Sequence, residues 1–131
     1  MHSAIEDDPG LAIGTAKELV ESVCKTILDS RNISYPNDAD ISALVKDARK
    51  ALGLIPDSIP NSAKGAESIR RLLSNLGNVA QGLGELRNLY GTGHGKVGAA
   101  KGLSARHARL AVGSAATLAT FLFEAHLERA I

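Results

Sequence analysis

"SIRRLLSNLGNVAQGLGELRNLYGTGHG", from Ser68 to Gly95, decides what kind of fold this chain adopts. Its apolar residues Ile69, Leu72, Leu73, Leu76, Val79, Ala80, Leu83 and Leu86 recur every three or four positions. That spacing predicts one face of an amphipathic helix. The helix is expected from Asn61 or Ser62 to about Leu89. Gly82 and Gly84 interrupt it, each costing about 1 kcal/mol relative to alanine. A close helix or subunit contact explains them, and so does local fraying before the loop that follows.

The same period appears on both sides. A helix over Pro9 to Asp29 carries Ile13, Ala16, Val20, Val23 and Ile27 on one face, with Asp8 as N-cap and Pro9 in its first position. A second covers Ala39 to Leu52, led by Asp38 and closed by Gly53. "SRNISYPND" and "LIPDSIPNS" break the chain between them. The last helix starts after Ser104 and reaches about Ala130. It is apolar almost all round from Leu110 to Leu122, so it is expected to be the most buried. The reading is all-α: an antiparallel four-helix bundle with a Gly-rich loop, about Tyr90 to Leu103, between the last two long helices. Residues 9–131 form one domain behind a polar tail at residues 1–8.

Composition agrees. The 131 residues are 44% hydrophobic but only 3% aromatic, so aliphatic side chains and alanine must fill the core. The sole cysteine, Cys24, sits among Leu19, Val20, Val23 and Ile27, which predicts a buried thiol. With no internal disulfide and a polar, acidic N-terminus that argues against a signal peptide, a reducing, cytoplasmic setting is expected. The apolar run from Leu110 to Phe123 falls short of the roughly 18 residues of a membrane span, so no membrane partner is expected.

Charge is uneven. Through Glu85 there are twelve acidic and nine basic residues, a net of −3. From Leu86 to Phe123 there are five basic residues (Arg87, Lys96, Lys101, Arg106 and Arg109) and no acidic one. A local anionic ligand fits this asymmetry; so does a solvated basic face.

Arg87 stands in an unusual place. At 100° per residue it lies roughly 40° from Leu83, within the apolar stripe. A buried guanidinium needs an anion or good hydrogen bonds. That partner is a carboxylate such as Glu21 on the first helix, a bound phosphate, or the two in exchange; the alternative is that the arginine escapes burial because the helix ends there. His94 follows in the Gly-rich loop. His107 shares a helix face with Ala111 and Leu118, so it is expected to point inward near the start of the last helix. Arg87, His94 and that helix start would then converge, with glycines permitting close backbone approach to a phosphate.

Other chemistries lack their motifs. "GHGKVG", Gly93 to Gly98, has dinucleotide-loop spacing but follows a helix. A Walker A loop fails because Val97 follows Lys96 and Tyr90 occupies the first glycine position. No zinc-ligand spacing occurs, so no metal or cofactor is expected. No nucleophile motif supports a Ser/His/Asp triad. Two tyrosines and two phenylalanines are too few for a base-stacking platform.

"RNLYGTGHG" resembles the HEPN-type signature: an arginine, a polar residue, then a histidine where a helix meets a loop. Together with "AKELVESVCKTIL", "ISALVKDARKALGL" and "SARHARLAVGSAATLATFLFEAHL", the chain resembles the abortive infection C-terminal domain, related to the HEPN superfamily, over about Pro9 to Leu127. The resemblance implies a phage-defence or toxin-type role and metal-independent cleavage of RNA through 2′-hydroxyl attack. It also implies a homodimer, and an antitoxin or sensor protein as a further partner. Carried over, Arg87 stabilises phosphate charge, His94 acts as general acid or base, and Asn88 orients one of them or the substrate. Lys96, Lys101, Arg106 and His107 are expected to contact substrate, with Glu21 orienting Arg87. The alternative is a non-catalytic dimerisation or nucleotide- or RNA-binding module.

Overall fold

A computed structural model describes residues 8–90 and 104–128. These residues form four α-helices and no strand: α1 (Pro9–Ser30), α2 (Ile41–Ala51), α3 (Ala66–Tyr90) and α4 (Ala105–Glu128), with a short 3-10 turn at Pro56–Ser58. The all-helical expectation therefore holds. The Gly-rich segment at 91–103 lies outside the described residues, as do residues 1–7 of the expected tail.

Helix α1 begins as its sequence directs. The Asp8 carboxylate accepts from the Leu11 backbone N–H at 3.0 Å, and Pro9 occupies the first turn. It ends at Asn32, whose φ of 58° is the left-handed conformation asparagine tolerates. There the Ile33 N–H returns to the Leu28 carbonyl at 2.9 Å, closing the helix as a Schellman turn. Helix α2 closes in the same way at Gly53, with φ 69° and the Leu54 N–H bound to the Arg49 carbonyl at 2.8 Å.

Two expected helix starts move. The N-cap of α2 is Asp40, not Asp38: its carboxylate accepts from the Ala43 N–H at 2.8 Å. The chain is still turning at Asp38, where the Ala39 N–H binds the Pro36 carbonyl. Helix α3 starts at Ala66, not near Asn61, because Gly65 takes a φ of 73°. Arg70 ties the intervening turn to α3, donating to the Ile59 carbonyl and to Asn61 Oδ1 at 2.7 and 2.6 Å.

Helix α1 packs against α4, α2 and α3. Its Ile13, Ala16, Val20, Cys24, Ile27 and Leu28 are completely buried. Helix α4 answers with Ala108, Ala111, Ala115, Leu118, Ala119 and Leu122. It is not the most buried helix, however. Leu110, Phe121, Phe123 and Leu127 are exposed, because its neighbours cover one stripe only. By length and composition α4 is also long and apolar enough to cross a membrane. The continuous-run count missed this because Arg109 and Glu124 end the run early. In α3 the buried face is narrower than the apolar pattern: Leu73, Ala80 and Leu83 are buried, whereas Leu72 is exposed.

The glycines of α3 have separable roles. A Cβ at Gly84 would lie 3.1 Å from Ile41 Cγ2, so this glycine lets the start of α2 approach α3. A Cβ at Gly82 meets nothing within 4 Å. Gly82→Ala should therefore stabilise the fold by about 0.5–1 kcal/mol. Gly84→Ala should gain less or lose stability, since buried Ile41 must shift. Paired thermal melts check this; an equal gain from both would show that Ile41 yields freely.

Cys24 is fully buried. Burial, with the Glu21 charge adding to it, pushes its pKa up to about 12. The folded thiol should resist a chromogenic disulfide reagent at pH 8, while the denatured chain reacts at once. Between about pH 9 and 12 the unfolded thiol ionises first, so this group's contribution to stability falls by at most about 1.4 kcal/mol per pH unit. Rapid stoichiometric labelling of folded protein would contradict the burial.

Candidate functional site

The last turn of α3 carries Arg87 and, next to it, Asn88. Arg87 lies four residues beyond buried Leu83 and seven beyond buried Ala80. It is half-buried, at the edge of the stripe where the helix ends. Among the described residues it makes no ion pair. Glu21 instead holds Lys17, one turn away on its own helix, at 3.1 Å. The expected Glu21–Arg87 pair is thus replaced by a pair within α1, because i,i+4 side chains on one helix meet readily.

Asn88 is exposed and lines a cleft of about 250 Å³ between three helices. Lys17 comes from α1; Asp40, Ile41 and Ser42 come from the start of α2; Gln81, Gly84 and Glu85 come from α3. The same Gly84–Ile41 approach that brings α2 onto α3 shapes the floor of this cleft. Through Lys17, Glu21 stands beside the cleft that Asn88 lines.

At the start of α4, Arg106 and His107 are both exposed. His107 does not point inward with Ala111 and Leu118. Its Nδ1 accepts from the Ser104 backbone N–H at 3.2 Å and lies 3.1 Å from Ser104 Oγ. It fills the third helical position after Ser104, where a reaching side chain satisfies the cap's own N–H. Helical periodicity alone could not show that this local bond turns the ring back. His94, Lys96 and Lys101 fall at 91–103, outside the described residues.

Two features escaped the sequence reading. The first is Arg49, the buried arginine among the described residues, only 8% exposed. It donates to the Leu73 carbonyl at 2.8 Å, while its Nε has no partner among the described residues. Burial lowers its pKa. Gly77 makes room for it: a Cβ there would meet Arg49 Nη1 at 3.1 Å. The available signal was its place one turn beyond Val45, in line with Ile41.

The second is a cluster joining the ends of α1 and α4. Arg31 Nε donates to His126 Nδ1 at 3.2 Å, and its Nη2 donates to the His126 carbonyl at 3.4 Å. His126 Nε2 lies 3.3 Å from Ser30 Oγ, which donates to the Ile27 carbonyl at 2.9 Å. Phe123 stacks obliquely on the ring, with centroids 6.1 Å apart. With Nδ1 accepting, the ring proton belongs on Nε2. The 95-residue separation of Arg31 and His126 hid this pair from any local reading. Among the described residues no group of three or more His, Cys, Asp or Glu gathers as metal ligands.

A family model described as Abi_C, a HEPN-like domain, matches residues 1–126 of the chain. Neither the curated proteins nor the solved structures give a match.

Arg49 is a buried cation held by one carbonyl. Replacing a buried charge by an apolar side chain of similar reach is often neutral or stabilising. Arg49→Met should accordingly melt at or above the wild-type temperature. Arg49→Ala, which leaves a void against Gly77, should lose about 1–3 kcal/mol. A large loss in Arg49→Met would mean that the Leu73 bond outweighs the cost of burying the charge.

Proposed function

On the premise that this chain belongs to the Abi_C family of HEPN-like domains, we propose that it is a metal-independent endoribonuclease of an abortive-infection or toxin-type system. The observation that carries this reading is Arg87: a half-buried guanidinium at a helix end, with no ion pair among the described residues, next in sequence to Asn88, which lines a cleft between three helices. A guanidinium so placed is suited to fork onto phosphate oxygens.

In the proposed reaction, His94 takes the proton of an RNA 2′-hydroxyl. That oxygen attacks the adjacent phosphorus, and the bond from phosphorus to the 5′-oxygen breaks. The leaving 5′-oxygen takes up a proton from water, giving a cyclic 2′,3′-phosphate and a free 5′-hydroxyl, and His94 returns its proton to the solvent. Imidazole suits this work because it titrates near neutral pH. Arg87 stabilises the charge on the phosphate, and Asn88 orients the substrate from the cleft rim. Lys96, Lys101 and Arg106 draw in the RNA backbone. His107 joins them through Nε2, since its Nδ1 serves the cap of α4. The working form is a cytoplasmic homodimer of antiparallel bundles, with an antitoxin or sensor protein as a further partner.

The test is cleavage of total RNA by the purified chain in EDTA, with the ends mapped. Cyclic phosphate ends are expected. His94→Ala should lower the rate by roughly 10²–10⁴-fold. Arg87→Ala should abolish cleavage without lowering the melting temperature, since no paired carboxylate is left behind. Full cleavage by both variants would overturn the mechanism. RNA binding without cleavage by the wild type would point to a non-catalytic binding module instead.

A further inference from the structure

The cleft where α1, α2 and α3 meet has a volume of about 250 Å³. It is smaller than the roughly 300–1,000 Å³ of sites that enclose drug-sized ligands. One flat ring system fits it, with the rest of its molecule left outside. Ile41 and Gly84 are part of the lining. Gly84 has no side chain to stand over buried Ile41, whose Cγ2 would lie 3.1 Å from a Cβ there. A flat ligand therefore has backbone and aliphatic surface to lie on.

Charge argues against a phosphate as the occupant. The ionisable residues of the lining are Lys17, Asp40 and Glu85, and Lys17 is already held by Glu21 at 3.1 Å. Two carboxylates beside one neutralised ammonium repel an anion. They favour a neutral ligand rich in N–H donors. Of the two, Asp40 is committed to the Ala43 N–H at 2.8 Å. Glu85 is exposed and forms no ion pair among the described residues. Its neighbours in the cleft are amides: Gln81, four residues before it, and Asn88, three after it, share its face of α3.

An ionised carboxylate only accepts, through two oxygens side by side. Among the four RNA bases, guanine alone offers two adjacent donors on its Watson–Crick edge, N1–H and N2–H. Adenine and cytosine place an acceptor next to their amino group, and uracil flanks its one N–H with two carbonyls. Guanine also carries the acceptors O6 and N7, which suit the amide N–H groups of Gln81 and Asn88. An arginine side chain from a protein partner also presents paired donors, but it has no acceptor for those amides.

We propose that this cleft is a guanine-reading subsite of the RNA site, in which Glu85 accepts from N1–H and N2–H while Asn88 and Gln81 donate to the acceptor edge. Unstacked bases of single-stranded RNA are read on these edges. Arg87, the residue before Asn88, then takes a phosphate of the same strand. The subsite rests on the ribonuclease reading for its substrate. Guanosine, however, carries no phosphate and cannot be cleaved, so its binding is decided apart from cleavage.

The experiment titrates each of the four ribonucleosides into isotope-labelled chain and follows the side-chain amide signals of Gln81 and Asn88 by NMR. Guanosine should shift both signals and bind more tightly than adenosine, cytidine or uridine by about tenfold or more. Glu85→Gln keeps the shape but turns one of the two acceptors into a donor, which matches the donor–acceptor edge of adenine. This variant should lose the guanosine preference and bind adenosine better than the wild type does. Glu85 is exposed and glutamine has a similar helix propensity, so its melting temperature should be unchanged. Equal affinity for all four nucleosides, or an unaltered guanosine preference in Glu85→Gln, would overturn the proposal. So would shifts of Gln81 and Asn88 with N-acetylarginine amide but not with guanosine. RNA cleavage by a chain that binds no guanosine would overturn the subsite and leave the ribonuclease reading standing. Guanosine binding by a chain that cleaves no RNA would support the subsite and remove the cleavage.

Discussion

The fold depends on the buried stripe of α1. Ile13, Ala16, Val20, Cys24, Ile27 and Leu28 have no exposure, and α1 contacts each of the other three helices. Burying a large aliphatic side chain is worth about 1.5–3 kcal/mol, and with so few aromatic residues this term must come from close aliphatic packing. Helix α4 supplies the complement with four alanines and two leucines on its inner face. Small side chains allow close approach but cover little. That is why the same helix, apolar on nearly every side, still presents Leu110 and Phe121 to solvent.

A second constraint sets the position of α2. Gly77 and Gly84, seven residues apart, lie on the face of α3 that receives Arg49 and Ile41. The pair draws α2 against α3 and places the first turn of α2 beside the last turns of α3. Asp40, Ser42, Glu85 and Asn88 then share one cleft with Lys17.

The two kinds of arginine in this molecule have different consequences. Arg49 is enclosed, satisfied in part by a carbonyl, and without an ion-pair partner among the described residues. Its neighbours are other parts of the core, so its chemistry is structural. Arg87 is half-buried at a helix end and free of Glu21, which Lys17 occupies. A guanidinium in that position has directions left open toward an anionic ligand.

The sequence by itself determined what depends on neighbours along the chain. The three-to-four spacing fixed four helices. Asp8, Pro9, Gly53 and Ser104 marked ends because capping involves residues a few positions apart. Cys24 was legible as buried because its flanking residues place it on the α1 stripe. Likewise, the family follows from four segments in order, and a family model matching residues 1–126 agrees. Only the tertiary structure decided which side of each helix meets a partner. Periodicity gives a face but not how much of it another helix covers, so Leu72 and α4 both read as more buried than they are. Nor does it weigh local competitors: Lys17 takes Glu21, Ser104 takes the His107 ring, and the Pro36–Ala39 turn moves the cap to Asp40. Arg49 against Gly77 and Arg31 against His126 are contacts between distant segments, and helix packing alone brings them together.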